Sequence, residues 1–255
     1  THLILVVSAL DQLLHHPKIS ALSLQNIRFA AVGADRITPR VQQRFTALTK
    51  HTLRSRYGLS ESSWALVNDG IRADKALALG KPCPGVEIRL LRADGTHASL
   101  GEVGQIHVNS PRTMLGYLNN EQATRAVLAD GWLATGDLAH QDEDGYYWFA
   151  GRSKDLIVLA SGDNVSPTEV EKVLCSHPAI AACMVVKRAT AGGSEVPWAF
   201  VISKQPISFQ ALRDFLHERL SDFKVPEGIE FVTELPMGLS GKIQRNLHSS
   251  DCEYS

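Results

Sequence analysis

Residues 131–171 read GWLATGDLAHQDEDGYYWFAGRSKDLIVLASGDNVSPTEVE, and their order decides how the rest of the chain is understood. Thr135-Gly136-Asp137 reads as a tight turn that presents a carboxylate. A carboxylate there can accept two hydrogen bonds from a pair of sugar hydroxyls, where an amide would satisfy only half of them. Asp and Gly are also frequent in plain turns, so the residues alone leave a structural turn equally open. Asp142, Asp144 and Gly145 read as an ordinary turn with no chemistry. Tyr146, Trp148 and Phe149 then lead as a strand into Arg152, whose guanidinium suits phosphate or ribose oxygens. Lys154-Asp155 reads either as a solvated turn or as a hinge.

Beyond Asp155 the composition indicates a second, smaller α+β domain. Ser166 and Glu169 have capping-box spacing and Pro167 occupies the first helical position, which predicts a helix with Val170, Val173 and Leu174 on its buried face. Strands are expected at 180–186, 197–202 and 229–232, and a helix at 209–220. The chain then reaches Leu235-Pro236-Met237-Gly238-Leu239-Ser240-Gly241-Lys242-Ile243. A phosphate-binding P-loop is excluded there, because residue 243 is Ile and the upstream glycine is absent. Lys242 reads either as a solvated lysine or as a cation placed on a Gly-flanked loop.

Working upstream, residues 1–58 alternate strand and helix: an apolar opening stretch over Leu3–Val7, read as a buried strand rather than a signal peptide, a short helix through Leu13 and Leu14, and a strand at 27–32 closed by Gly33-Ala34. Thr38 reads as an N-cap, with Pro39 first in a helix that buries Val41, Phe45 and Leu48. Such repeats favour a parallel sheet whose carboxyl-end loops collect ligands. The next strand delivers Tyr57-Gly58-Leu59-Ser60-Glu61, where a ring, a hydroxyl and a carboxylate emerge together. That cluster fits either a capped loop or a nucleotide site with a magnesium ligand. From Gly80 to Tyr117 the texture changes to strand and turn, which predicts a small antiparallel, barrel-like subdomain. Residues 116–119 read as a core-packing turn in preference to a segment resembling one in the family named below.

The chain has 255 residues, 44% of them hydrophobic and 21% charged, which suits one large or two small folded domains. Its formal net charge of −1 gives no footprint for nucleic acid or an anionic membrane. Cys83, Cys175, Cys183 and Cys252 show neither metal-ligand spacing nor a disulfide framework, so the cytoplasm is the expected compartment. No apolar run approaches the roughly 20 residues that span a bilayer. The start at Thr1 without a Met reads as a partial chain.

Four motifs, Tyr57 to Glu61, Thr135 to Asp137, Gly151 to Asp155 and Ser240 to Lys242, occur in the order in which the adenylate-forming (AMP-binding) superfamily carries its own. The chain resembles the C-terminal part of that family's large domain (residues 1–154) followed by its small mobile domain (155–255). The resemblance implies α/β and α+β architecture and an AMP-forming acyl-CoA synthetase. Such an enzyme activates a carboxylic acid with ATP and transfers the acyl group to coenzyme A, or, in a related class, to a carrier protein. It also implies site residues. Lys242 catalyses adenylation, Glu61 holds magnesium, and Gly33, Ala34, Tyr57, Gly58, Ser60, Asp137 and Arg152 contact the nucleotide. Asp155 is the hinge, and Ser161 and Gly162 line the coenzyme A tunnel, while the acyl pocket draws on Val32, Gly58 and Trp64. The chain departs from the family in Val6-Val7-Ser8, where a proline is common, and in Gly238, where a threonine is frequent. The N-terminal half that grips pyrophosphate is expected outside these residues, and a non-catalytic nucleotide-binding fragment is the alternative from another class.

Overall fold

The computed structural model describes residues 2–20, 24–33, 35–190, 192–236 and 245. The chain divides into two compact units, Thr1–Phe149 and Ala150–Ser255. The first sheet of the first unit holds β1 (His2–Val6), β2 (Phe29–Gly33), β3 (Arg54–Leu59), β4 (Ser63–Asn68) and β5 (Lys81–Pro82), side by side in chain order. The first three are parallel, as the strand–helix alternation predicts. β4 and β5 run antiparallel, because the three residues between β3 and β4 can form only a hairpin. Helices α1 (Val7–His15) and α2 (Pro39–Thr49) cover one face. Their Leu10, Leu14, Val41 and Phe45 make a core with Val32 and Leu53. The Thr38 hydroxyl accepts the Val41 amide at 3.3 Å, the predicted cap.

The opening strand differs from expectation. β1 is an edge strand of alternating exposure, and Ile4 is 72% exposed. Only its Leu3 and Leu5 side reaches the helical core, since alternate residues of a strand face opposite ways.

The second sheet contains β6 (Glu87–Leu91), β7 (Gly104–Asn109), β9 (Trp132–Gln141) and β10 (Tyr147–Arg152), in the order β10-β9-β7-β6, and the division between the units falls within β10, after Phe149. β8 (Leu128–Ala129), which follows helix α3 (Glu121–Val127), pairs only with β9. The expected barrel-like closure is therefore corrected: this sheet is open. Leu90, Ile106, Val108, Ala139 and Tyr147 form its core together with Ala65 and Leu66.

The turn at Asp142 does more than reverse the chain. The Asp142 carboxylate accepts Lys75 Nζ at 2.8 Å, Trp148 Nε1 at 2.7 Å and the Tyr146 amide at 2.9 Å. Burial pushes its pKa up, but the Lys75, Trp148 and Tyr146 hydrogen bonds outweigh this and bring it from 3.8 to about 2.

The second unit opens with the hairpin β11 (Ile157–Val158) and β12 (Asn164–Val165), then α4 (Pro167–Leu174). Its main sheet is β13 (Ile180–Ala189), β14 (Glu195–Ser203) and β15 (Gly228–Phe231), with β14 and β15 parallel across helix α5 (Phe209–His217). Val170 and Leu174 meet Leu212, Leu216, Val185 and Val201 in one core. The predicted capping box does not form. Ser166 Oγ donates instead to Ala150 O at 2.6 Å, and the Glu169 carboxylate takes Lys224 Nζ at 2.7 Å. This use of Ser166 explains Gly151, whose φ is +142° and whose added Cβ would lie 2.8 Å from that hydroxyl. Among the described residues no helix is long and apolar enough to cross a membrane.

Candidate functional site

Two of the predicted positions meet inside the first unit. The Tyr57 hydroxyl donates to Asp137 Oδ2 at 2.8 Å, across 80 residues of sequence. Tyr57 stands near the end of β3 with its ring partly buried against the second-sheet core. Asp137 is 5% exposed. The expected tight turn around it is corrected. Gln105 pairs with Leu138 and His107 with Ala134, so Thr135, Gly136 and Asp137 form a bulge within β9. Thr135 Oγ1 donates to Ile106 O at 2.8 Å and accepts the Asp137 amide at 3.1 Å, which fastens the bulge to β7. Gly136 supplies a φ of +75°. A bulge re-aims a side chain that regular pairing would send elsewhere, and here it turns a carboxylate toward β3.

Gly58 follows Tyr57 where the β3–β4 hairpin narrows. A Cβ there would sit 2.1 Å from Ser63 O, so only glycine lets the two backbones approach this closely. The register shifts between Tyr57 and Gly58. Ser60 is exposed in the connecting turn, and Glu61 beside it is half-buried. Glu61 Oε1 accepts the Tyr117 hydroxyl at 2.9 Å, and the Glu61 carbonyl accepts the Met114 amide at 2.6 Å. The hydrogen bond to Glu61 raises the Tyr117 pKa.

The segment 116–119 is therefore not a core-packing turn. Leu118 is 92% exposed, and Tyr117 turns its hydroxyl to the predicted metal ligand. Sequence reading missed this contact, because it set aside the family likeness of residues 116–119, which was the available signal. It also assigned no role to Ser62, which is 0% exposed, with a hydroxyl that has no partner among the described residues.

Gly33 ends β2 beside Arg56 of β3, where an added Cβ would press on Arg56 O at 3.3 Å. Ala34, Ser240 and Lys242 lie outside the described residues. Of the acyl-pocket positions, Val32 is buried in the helical core, whereas Trp64 is 54% exposed with the Arg56 guanidinium 4.3 Å over its ring. A small cleft of about 120 Å³ between Phe29, His51 and Asp69 contains none of the predicted site residues.

In the second unit Arg152 is exposed at the end of β10. Asp155 closes a short 3-10 turn and pairs with Arg245 Nη1 at 3.5 Å. Arg245 Nη2 also reaches both Glu171 carboxylate oxygens at 2.8 Å. Burial lowers the Arg245 pKa, and the charge and hydrogen bonds of Glu171, helped by Asp155, outweigh it and raise it. Three residues beyond Lys242 the chain is thus tied to Asp155 and to α4. Ser161 and Gly162 form the tip between β11 and β12, where Gly162 has a φ of +86° and Ser161 Oγ donates to Asp163 Oδ2 at 2.7 Å. Ser161 also lines a cleft of about 410 Å³ with Thr190, Ser194, Arg213 and Asp222.

Residues 1–118 match the family of AMP-binding enzymes, and residues 169–242 match the AMP-binding enzyme C-terminal domain. The chain belongs to the AMP-binding, adenylate-forming enzymes. It is 37% identical to the long-chain-fatty-acid–CoA ligase of Bacillus subtilis (strain 168) over 237 residues, 91% of this chain and 42% of that protein. It is 32% identical to the indoleacetate–CoA ligase of Aromatoleum aromaticum over 251 residues, 95% of this chain and 48% of that one. Among solved structures, the amide bond synthetase McbA from Marinactinospora thermotolerans superposes with a TM-score of 0.86 at 31% identity, covering 98% of this chain and 53% of that one. The chain spans about half the length of the relatives it matches.

Proposed function

We propose that this chain is the nucleotide-holding and lysine-bearing part of an AMP-forming acid–thiol ligase that works in the cytoplasm. A carboxylate attacks the α-phosphate of ATP, the bond to the β-phosphate oxygen breaks, and pyrophosphate leaves. The thiol of coenzyme A then attacks the acyl carbon of the adenylate and AMP departs. The Tyr57–Asp137 hydrogen bond supports this reading best, because it joins in space two motifs, 80 residues apart, that the resemblance assigns to one nucleotide.

The first step brings two anions together and gathers charge at phosphorus, so cations must stand where that charge develops. Lys242 supplies one of them. Glu61 is the residue that would hold magnesium, which screens the phosphate oxygens when bound. Its fit is chemical: Mg²⁺ needs one or two carboxylates besides phosphates and water, and the Tyr117 hydroxyl holds the Glu61 carboxylate from one oxygen. Tyr57 offers its ring to adenine and Gly33 and Ala34 their backbone, while the Gly58 turn leads Ser60 toward phosphate. Asp137 accepts ribose hydroxyls, Arg152 meets nucleotide oxygens, and Ser161 and Gly162 border the pantetheine. A lysine poised for the first step obstructs the thiol in the second, so Asp155 acts as the hinge that withdraws it.

The full-length gene product tests this, with pyrophosphate release measured across fatty and aromatic acids. Lys242→Ala is expected to slow adenylation by on the order of 10²-fold, while leaving thioester formation from preformed acyl-adenylate within a few-fold. Equal loss in both half-reactions removes the assigned role. Product analysis with coenzyme A, a phosphopantetheinyl carrier protein and an amine identifies the acceptor. AMP binding without pyrophosphate release for any acid supports the non-catalytic alternative.

A further inference from the structure

Cys175 and Cys183 lie outside every role assigned above. Cys175 follows the last residue of α4 and is exposed, while Cys183 is buried in β13 at 5% exposure. Their Sγ atoms are 3.3 Å apart, and both are thiols. A disulfide bond needs about 2.05 Å, so roughly one ångström of approach joins them. We propose that Cys175 and Cys183 form a reversible disulfide within the second unit, made by exchange with a low-molecular-weight disulfide.

The surroundings make closure inexpensive. The Cys183 thiol donates weakly to Glu171 O at 3.6 Å, and bonding to Cys175 takes that donor away. The same carbonyl keeps the Cys175 amide at 2.9 Å, so no buried acceptor is orphaned. β13 is irregular between Ile180 and Ala182, which gives the strand beside Cys183 room to adjust. The Arg245 guanidinium lies within electrostatic reach of Cys183, whose sulfur, when ionised, adds slightly to the raising of the Arg245 pKa.

The chemistry balances. The Cys175 thiolate attacks one sulfur of RSSR, and RS⁻ leaves with the S–S bonding pair, giving a mixed disulfide. The Cys183 thiolate then attacks the Cys175 sulfur and expels the second RS⁻. Two protein thiols are oxidised, RSSR is reduced to two RSH, and the two protons end on the released thiols. Cys175 is the entry point because it is exposed, and Cys183 resolves the adduct because it is held beside it. The product staples the end of α4 to β13 next to Glu171, the residue that grips Arg245.

Trypsin releases both cysteines in one peptide, Val173–Lys187, because no Lys or Arg falls between its ends. The chain is equilibrated in glutathione buffers of rising oxidised-to-reduced ratio, quenched and alkylated in denaturant, and digested. The expected result is a Val173–Lys187 peptide lighter by two hydrogens and free of alkyl groups, restored by dithiothreitol, while Cys83 stays alkylated. The folded chain should close at a ratio about tenfold lower than the urea-unfolded chain, because the fold raises the effective concentration of one thiol at the other. Cys183→Ala should leave a lasting glutathione adduct on Cys175, with an unchanged circular dichroism spectrum showing that the variant folds. Two alkylated cysteines at every ratio, a lasting glutathione adduct in the unsubstituted chain, or equal closure in folded and unfolded states would each overturn the proposal.

Discussion

Tyr57 and Asp137 depend on one another. Asp137 is 5% exposed, and a buried carboxylate is stable only while donors satisfy it. The Tyr57 hydroxyl is one such donor. Tyr57→Phe keeps the ring and removes the donor; a hydrogen bond to a charged group contributes about 1.5–3 kcal/mol. The expected outcome is a lower midpoint of thermal unfolding and about tenfold weaker AMP binding, read by calorimetric titration. Tyr57→Ala removes the stacking surface as well and should bind more weakly still. Unchanged affinity in the alanine variant would take Tyr57 out of the nucleotide site.

At the scale of elements, the link between β9 and β10 shows how a plain turn can hold two parts of a fold together. Asp142 joins that turn to Lys75 on the stretch before β5, and Asp144 adds a second contact to Lys75 at 2.7 Å. Its pKa lies below the ordinary carboxylate value, so its contribution to stability is fully present above about pH 4. It is lost as pH falls from 3.8 toward about 2. Acid unfolding of the first unit, followed by tryptophan fluorescence, should be steepest in that window. Asp142→Asn should lower stability at neutral pH and flatten the dependence there. An unaltered acid profile in the variant would show that Asp142 does not couple to folding.

The same scale separates what patterns convey from what they do not. The helix over Pro39–Thr49 and its Thr38 cap were legible, because both the cap and the buried face depend on residues three or four apart. The use of Ser166 was not. Its spacing to Glu169 matches a capping box, but Ala150 O and Lys224, distant in sequence, claimed the two side chains. The bulge at Thr135-Gly136-Asp137 was likewise hidden, since a Gly-bearing turn and a Gly-bearing bulge share composition and only the pairing of β7 on both sides distinguishes them.

At the scale of the whole molecule, each unit buries its own core. The cluster around Val170, Leu174, Val185, Val201, Leu212 and Leu216 draws every member from the second unit. A fragment of residues 150–255 is therefore expected to fold alone, with one cooperative thermal transition and mixed α/β circular dichroism. A non-cooperative transition would show that its stability comes from elsewhere.

The sequence by itself determined the kinds of element and the motifs that mark the adenylate-forming family, because periodicity, caps and short motifs are local properties. Only the tertiary structure decided which donors reach Asp137, that Tyr117 rather than a core contact attends Glu61, that Arg245 grips Glu171 and Asp155, and that two cysteines stand within one ångström or so of bonding. Each of these joins residues whose separation along the chain says nothing of their distance in space. Burial and hydrogen-bond demand choose among such partners only once the sheets have packed.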